Sequence, residues 1–328
     1  MLSARKIMLT QNGPDNERLN TMNRCALKVK KACWASFTIL AVQGLMAADG
    51  FYVAHRNASN PLLGRIDYVN AAGNVSGFYA GPGVPLTLAW DGSTYLYASV
   101  GDTIQRFGLD GTSTTFASGL NAPAGLAFDG NGNLFVANYS GGTISKITLD
   151  GTVSSFATGL ELPSGLAFDR DGNLYCAERN NTSLSVFAPD GTPSTFGSGL
   201  EDPQQLVFDT EGNLYVSIYG NNTPTTDTIA RITPDGTVTT FASGLRQPTA
   251  LVFDSNGDLF VANRLGNGIN RITPNGENTV FVSGLRLPTG LAAGPAPLVP
   301  EPSSIAMWVL FSGLGCFWFH RKPKKPAL

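Results

Sequence analysis

Residues 118–138 read Ser-Gly-Leu-Asn-Ala-Pro-Ala-Gly-Leu-Ala-Phe-Asp-Gly-Asn-Gly-Asn-Leu-Phe-Val-Ala-Asn, and much of the 328-residue chain restates this stretch with small changes. Ser/Thr-Gly-Leu ends at Leu120, Leu160, Leu200, Leu245 and Leu285, at spacings of 40, 40, 45 and 40 residues. A proline follows each time (Pro123, Pro163, Pro203, Pro248, Pro288), then a short apolar run such as Gly125-Leu126-Ala127-Phe128. A polar turn, Asp129 to Asn133, leads to a second run, Leu134 to Ala137. A third, Ile144 to Thr148, meets Asp150-Gly151, and a fourth runs from Val153 to Ala157. Short β-rich runs joined by glycine turns are strands. Asp-Gly between them marks hairpins, because glycine tolerates positive φ. A four-stranded sheet of this size has two apolar faces and must stack on its neighbours to bury them. Radial stacking at a forty-residue period is a β-propeller. A β-helix would need shorter parallel rungs, and the Trp-Asp and Gly-His marks of WD40 repeats are absent.

The second strands give the blade count: Phe51 to Ala54, Leu96 to Ala98, Leu134 to Val136, Leu174 to Cys176, Leu214 to Val216 and Leu259 to Val261, which is six. The first unit opens at its second strand, and the last, Pro288 to Ala292, supplies a first strand and stops. The ring is therefore expected to close by pairing residues 289–293 with 51–54, which hides two sheet edges. Deleting residues 286–299 should unfold the domain or make it oligomerise. The expected fold is all-β, a six-bladed propeller of four-stranded blades over residues 49–294.

Charge sharpens the functional question. Residues 1–48 hold seven of the 22 Lys and Arg and the last eight hold four, leaving 11 basic against 21 acidic residues in 49–299. A net charge near −10 repels phosphate and argues against a nucleic-acid partner. Of four cysteines only Cys176 lies in the repeats, which excludes an internal disulfide framework.

The two ends read as addresses. Lys28, Lys30 and Lys31 precede an apolar run from Ala32 to Leu45 and the small residues Ala47 and Ala48, the pattern of a secretory signal peptide over 22–48. Residues 1–21 lack any pattern and read as an extension ahead of a start at Met22. At the other end, Pro300-Glu301-Pro302 stands in a linker (295–304) before an apolar run over 305–319 and a basic tail over 320–328. That run is shorter than the roughly 20 residues of a comfortable span, and its flanking lysines would stay cytoplasmic. The order resembles the PEP-CTERM sorting signal of Gram-negative bacteria. The resemblance implies an exosortase partner at the inner membrane, transient anchoring, and release or re-anchoring at the cell surface.

The Gly-Leu-Ala-Phe-Asp and Gly-Asn-Leu-Tyr-Val-Ala cores resemble NHL repeats, and residues 49–299 are similar to six-bladed propellers of the streptogramin-lyase and gluconolactonase (SMP-30) group. Strand alternation places His55, Val100, Asn138, Glu178, Ile218 and Asn263, one per blade, on one rim. Two loops leaving this rim, His55 to Ile66 and Ile218 to Ile229, are five residues longer than Asn138 to Ile144, Glu178 to Leu184 and Asn263 to Ile269, and binding elaborations in repeat proteins cluster in this way. Arg56, Tyr139, Arg179, Tyr219 and Arg264 follow directly, so the ligand-binding rim is read as His55, Arg56, Asn138, Tyr139, Glu178, Arg179, Tyr219, Asn263 and Arg264. Its ligand is expected to be polar, anionic or carbohydrate, such as extracellular polysaccharide, or a surface protein. The gluconolactonase resemblance implies a divalent metal held by a Glu in an early blade, Asn residues and an Asp just after an opening proline. Here no Asp follows those prolines and Pro85-Leu86-Thr87 offers no Glu. The oxygen set left for a metal such as calcium is Asn138, Glu178 and Asn263, one carboxylate among amides. The lyase resemblance implies a His base with a nearby Glu, for which the candidates are His55 and Glu178. The expected function is an exported binding protein. The alternative is a metal-assisted lactonase or His-dependent lyase, and the third reading a matrix component without a specific ligand.

Overall fold

The computed structural model describes residues 50–56, 63–220 and 226–298. The expected signal segment and 1–21 extension, the Pro300-Glu301-Pro302 motif and the apolar and basic tail lie outside these residues. Twenty-four strands form six separate four-stranded antiparallel sheets, the blades of a propeller, and the described residues contain no helix. Blade 3 shows the pattern: Pro123–Phe128, Leu134–Asn138, Thr143–Ile147 and Val153–Thr158, from axis to periphery. Blades 2, 4, 5 and 6 span residues 85–118, 163–196, 203–242 and 248–283. Blade 1 joins the two ends of the described chain. Gly290–Ala293 is its first strand, followed by Gly50–Arg56, Leu63–Asn70 and Val75–Pro82. The closing register is Phe51↔Ala293, Tyr52↔Ala292, Val53↔Leu291 and Ala54↔Gly290.

Packing between blades repeats as faithfully as the sequence. Each hydrophobic cluster draws on two adjacent blades, as where Tyr97, Ile104 and Ala117 of blade 2 meet Leu126, Phe128 and Val136 of blade 3. Four junctions carry the same aromatic triad: a second-strand ring, a fourth-strand Phe and the Phe that ends the next blade's first strand. Tyr97, Phe135, Tyr175 and Tyr215 stand 5.1, 5.0, 5.1 and 5.0 Å from Phe128, Phe168, Phe208 and Phe253, all edge-to-face. The fourth-strand partners Phe116, Phe156, Phe196 and Phe241 lie at 5.0, 5.0, 5.4 and 4.9 Å. Edge-to-face geometry sets the positive ring edge against a negative face and adds about 1 kcal/mol per pair to the area buried.

Around the axis, first strands approach closely enough to demand small residues. A Cβ on Gly165 would lie 2.3 Å from the Gln204 carbonyl oxygen, and one on Gly125 would lie 2.5 Å from that of Ser164. Hydroxyls reinforce the same seam: Ser164 donates to the Pro203 carbonyl at 3.2 Å, Thr249 to that of Pro288 at 3.1 Å and Thr289 to that of Pro85 at 3.2 Å. In blades 2 and 5, Thr87 and Gln205 replace the glycine. There Ser99 and Ser217 accept from their amides at 3.2 and 3.0 Å, so the irregular pairing leaves no buried N–H orphaned.

The outer hairpins reverse through a glycine at positive φ: 80° at Gly111, 86° at Gly151, 85° at Gly191 and 87° at Gly236. The preceding aspartates are tied into the turn. The Thr148 hydroxyl, at 2.5 Å, and then the Thr152 amide, at 3.1 Å, hold the Asp150 carboxyl below its ordinary range. Asp110 and Asp235 are lowered first by the hydroxyls of Thr112 and Thr233, and Asp190 by the Thr192 amide. Carboxylates with depressed values stabilise the fold above the unfolded pKa, near 3.9, and that contribution is lost as pH falls through the folded values. The melting temperature should therefore decline on acidification below about pH 4, and replacing all four aspartates by Asn should flatten that decline. An unchanged acid slope in the quadruple variant would contradict the assignment.

The turns between first and second strands consume their carboxylates in the same way. Asp169 accepts from the amides of Asp171 and Asn173 at 2.9 and 2.8 Å and from the Asn173 side chain at 2.7 Å. The run Asp169-Arg170-Asp171-Gly172-Asn173 is thus an Asx-type turn on the face opposite the rim.

Candidate functional site

The rim is set by a backbone device in front of each opening proline. Ala122, Leu162, Asp202, Gln247 and Leu287 adopt φ between 49° and 54°, a region that non-glycine residues seldom occupy. A following proline already bars the right-handed helical region. Side-chain oxygens satisfy the strained amides: Asp102 accepts from Ala122 at 3.1 Å, Asp227 from Gln247 at 2.8 Å and Asn267 from Leu287 at 3.2 Å. The carbonyls of Ala122, Leu162, Asp202 and Gln247 accept from Tyr139, Arg179, Tyr219 and Arg264 at 3.1, 3.4, 3.0 and 3.1 Å. Four side chains on consecutive blades are thereby presented in one orientation.

These four meet. The Arg179 guanidinium lies 5.9 Å from the Tyr139 ring centre and 5.4 Å from that of Tyr219, and donates to the Tyr139 hydroxyl at 3.2 Å. Its Nε and Nη2 bind Asp202 in a two-pronged pair at 2.8 and 2.9 Å, which raises its pKa further above the ordinary arginine value. Gln204 also donates to Asp202, at 2.8 Å. Arg264 donates to the Tyr219 hydroxyl at 3.2 Å, and that hydroxyl donates to Gln247 Oε1 at 2.7 Å. Burial raises the Tyr219 phenol and Arg264 partly opposes it. The result is a half-buried belt, Tyr139–Arg179–Tyr219–Arg264, across blades 3 to 6. At its far corner Asp227 is fully buried, and among the described residues its Oδ1 and the Arg264 Nε have no hydrogen-bond partner.

The other rim residues do different work. Asn138, Glu178 and Asn263 are 3%, 2% and 7% exposed, and each is bound within its own blade. Asn138 accepts from the Asn121 amide at 3.3 Å and donates to Ser145 at 2.9 Å. Glu178 accepts from the Glu161 amide at 2.6 Å and from the Ser185 hydroxyl. Asn263 accepts from the Arg246 amide at 2.6 Å and donates to Asn270 at 3.1 Å. Each pins the loop before its blade to its second and third strands, and the three are not brought together. Val100 and Ile218 occupy the same position in blades 2 and 5.

His55 holds the equivalent place in blade 1. Its Nε2 lies 2.7 Å from Asp67 Oδ2 and its Nδ1 lies 3.1 Å from the Arg56 carbonyl, so both nitrogens are occupied. Asp67, 3% exposed, also accepts from Arg65 Nε at 2.5 Å. No hydrogen bond joins His55 to Glu178 three blades away. Arg56 closes its strand, with its amide on the Arg286 carbonyl at 3.0 Å. Burial pushes the Cys176 thiol well up, which suits a core residue. Among the described residues no three His, Cys, Asp or Glu side chains cluster as a metal set. Asp202, Gln247, Asp227 and Asp67 escape a reading by motif. Asp202 and Gln247 carry one signal, polarity at the position before an opening proline where blades 3 and 4 have Ala122 and Leu162.

The ring, its rim and its closure define a six-bladed β-propeller, and solved structures agree. A streptogramin B lyase structure superposes with a TM-score of 0.56 at 18% identity, covering 75% of this chain and 88% of that one. A gluconolactonase from Xanthomonas campestris gives 0.56 at 19%, covering 74% and 88%. A protein of unknown function from Bacteroides caccae gives 0.57 at 15%, covering 74% and 98%. No protein-family model matches the sequence, and no curated protein does.

Proposed function

We propose that this propeller is an exported binding module whose Tyr139–Arg179–Tyr219–Arg264 belt takes up a polar, carbohydrate-like chain at the cell surface. The belt itself carries the reading: aromatic faces interleaved with guanidinium donors, half-buried and aligned along one rim. Tyrosine offers sugar rings an apolar face with a polar tip, and arginine offers planar donors to hydroxyl or carboxylate groups. Affinity electrophoresis through acidic and neutral polysaccharides, with a glycan array, tests it. Tyr219→Ala and Arg264→Ala should each weaken retention by about tenfold or more. Retention equal to wild type in both variants, or none by wild type, would overturn the belt as a binding surface.

The export half of this proposal rests on the two terminal signals. Both signals lie outside the described residues, and intact mass of the secreted protein tests removal of the tail. Catalysis is the second reading, supported by the fold shared with a lyase and a gluconolactonase. It requires stoichiometric metal in the purified protein, or lactone or lyase activity lost in both His55→Ala and Glu178→Ala.

A further inference from the structure

Charge is distributed unevenly around the rim. Among the described residues, blades 2 to 5 place Asp102, Glu161, Glu178, Glu201, Asp202 and Asp227 there, with Arg179 as their one cation. Blades 6 and 1 reverse the sign, with Arg56, Arg65, Arg246, Arg264 and Arg286 at the rim and, among the described residues, no Asp or Glu in the same loops. The carboxylates on either side are withdrawn from the surface. Asp67, within the third strand of blade 1, is 3% exposed and is held by His55 at 2.7 Å and by Arg65, which spends that guanidinium. Asp227, at the border with blade 5, is fully buried and accepts from the Gln247 amide at 2.8 Å. That leaves a positive pole of Arg246 and Arg286, both exposed, with Arg56 and Arg264, both half-buried. The backbone gathers them. Arg56 donates its amide to the Arg286 carbonyl at 3.0 Å, and the Leu265 amide donates to that of Arg246 at 3.1 Å. The Thr249 hydroxyl on the Pro288 carbonyl, at 3.1 Å, ties the entries of the two blades to each other.

Resting on the belt as the sugar-binding surface, we propose that this arginine pole binds the carboxylates of an acidic polysaccharide, so that the chain lying on the belt is a uronate-bearing one. Arg264 belongs to both: it closes the belt and opens the pole, and one chain can cross from the first to the second. The two guanidiniums of the belt are not equivalent. All three Arg179 nitrogens donate inside the protein, two to Asp202 and one to Tyr139, and the Asp202 side chain is itself 30% exposed. That end offers hydroxyl groups a neutralised pair and repels an acid as much as it attracts one. A carboxylate is drawn to the other end, where guanidinium forks match its two planar oxygens. The acidity of the domain as a whole does not cancel this attraction. The aspartate-rich turns sit at the far end of strands such as Leu134–Asn138, of five residues. Such a strand is roughly 16 Å long, more than the ~10 Å over which charge acts at about 0.1 M salt.

The test is affinity electrophoresis of the full chain through polygalacturonate, alginate and hyaluronan, each run beside its carboxyl-reduced form, which keeps the linkages and loses the charge. Wild type should be retarded more by at least one carboxylate form than by its reduced partner, and added salt should remove the difference. Arg246→Gln and Arg286→Gln change exposed side chains and spare the fold. Each should weaken that retention about threefold, and the two together about tenfold, without affecting the reduced polymer. Arg170→Gln removes the same charge from an exposed residue on the opposite face and should change nothing. Equal retention on charged and reduced forms, or a double variant retained like wild type, would overturn the pole. If Tyr219→Ala still weakens retention in that case, the belt stands and only the class of sugar falls. Retention by none of the polymers would overturn both. Stronger retardation by single-stranded DNA than by any of them would overturn the assignment to a glycan.

Discussion

A chain lacking residues 286–299 is expected to lose its cooperative melting transition or to run as an oligomer by size-exclusion chromatography with light scattering. The excision strips four paired residues from the second strand of blade 1 and removes Leu291 and Ala293 from the cluster between blades 6 and 1. Losing a buried leucine side chain alone costs about 2–5 kcal/mol. Folded domains keep only about 5–15 kcal/mol in total. The exposed strand also offers unpaired amides and carbonyls to another copy. Leu291→Ala, which retains the backbone pairing, should lower stability while leaving the protein monomeric. A monomeric truncation as stable as wild type would show that the ring does not depend on its seam.

Gly165→Val is expected to destabilise the ring by about 3 kcal/mol or more, since overpacking here forces backbone rather than side chains to move. The new Cβ would sit 2.3 Å from the Gln204 oxygen and 2.8 Å from the Gln205 Cα, both backbone atoms of the next blade. For a domain of this size that corresponds to a fall of roughly 6–12 °C in Tm. Gly130→Ala is the matched control, because its Cβ meets nothing within 4 Å. It should shift stability by no more than about 0.5 kcal/mol. Equal melting temperatures for the two variants would mean that the first strands do not pack as tightly as described.

The architecture was legible because every level of the chain repeats the same instruction. Pro123, the Asp129–Asn133 turn and Asp150-Gly151 each punctuate a strand locally, and their recurrence fixes blade number without any long-range information. Closure was legible too, since the half-blades at Phe51 and Gly290 have no other partner of matching length. The rim positions followed from strand direction, but the work of their side chains did not. Asn138, Glu178 and Asn263 point between strands and reach amides 17 residues away, a distance that a period-two pattern cannot encode. His55 finds Asp67 across a long loop, on the third-strand position that is Ser145 in blade 3. Only the register of Val53 with Asp67 and of Val136 with Ser145 makes the equivalence visible. Ala293 closes the first strand of blade 1, where Trp90, Phe128, Phe168, Phe208 and Phe253 close the others.

The seam has a mechanical corollary. Phe51 pairs with Ala293 at the end of the blade where the first described strand begins and the last one ends, and the strands run antiparallel from there. Tension applied between the two ends would peel the hydrogen bonds one pair at a time instead of straining them together. Held by a single end, the disc transmits no such tension across its joint. The Tyr52 hydroxyl on the Pro295 carbonyl at 2.9 Å and the Leu298 amide on that of Leu109 at 2.8 Å would then act as a strain relief, taking any pull on residues 294–298 before it reaches the zipper.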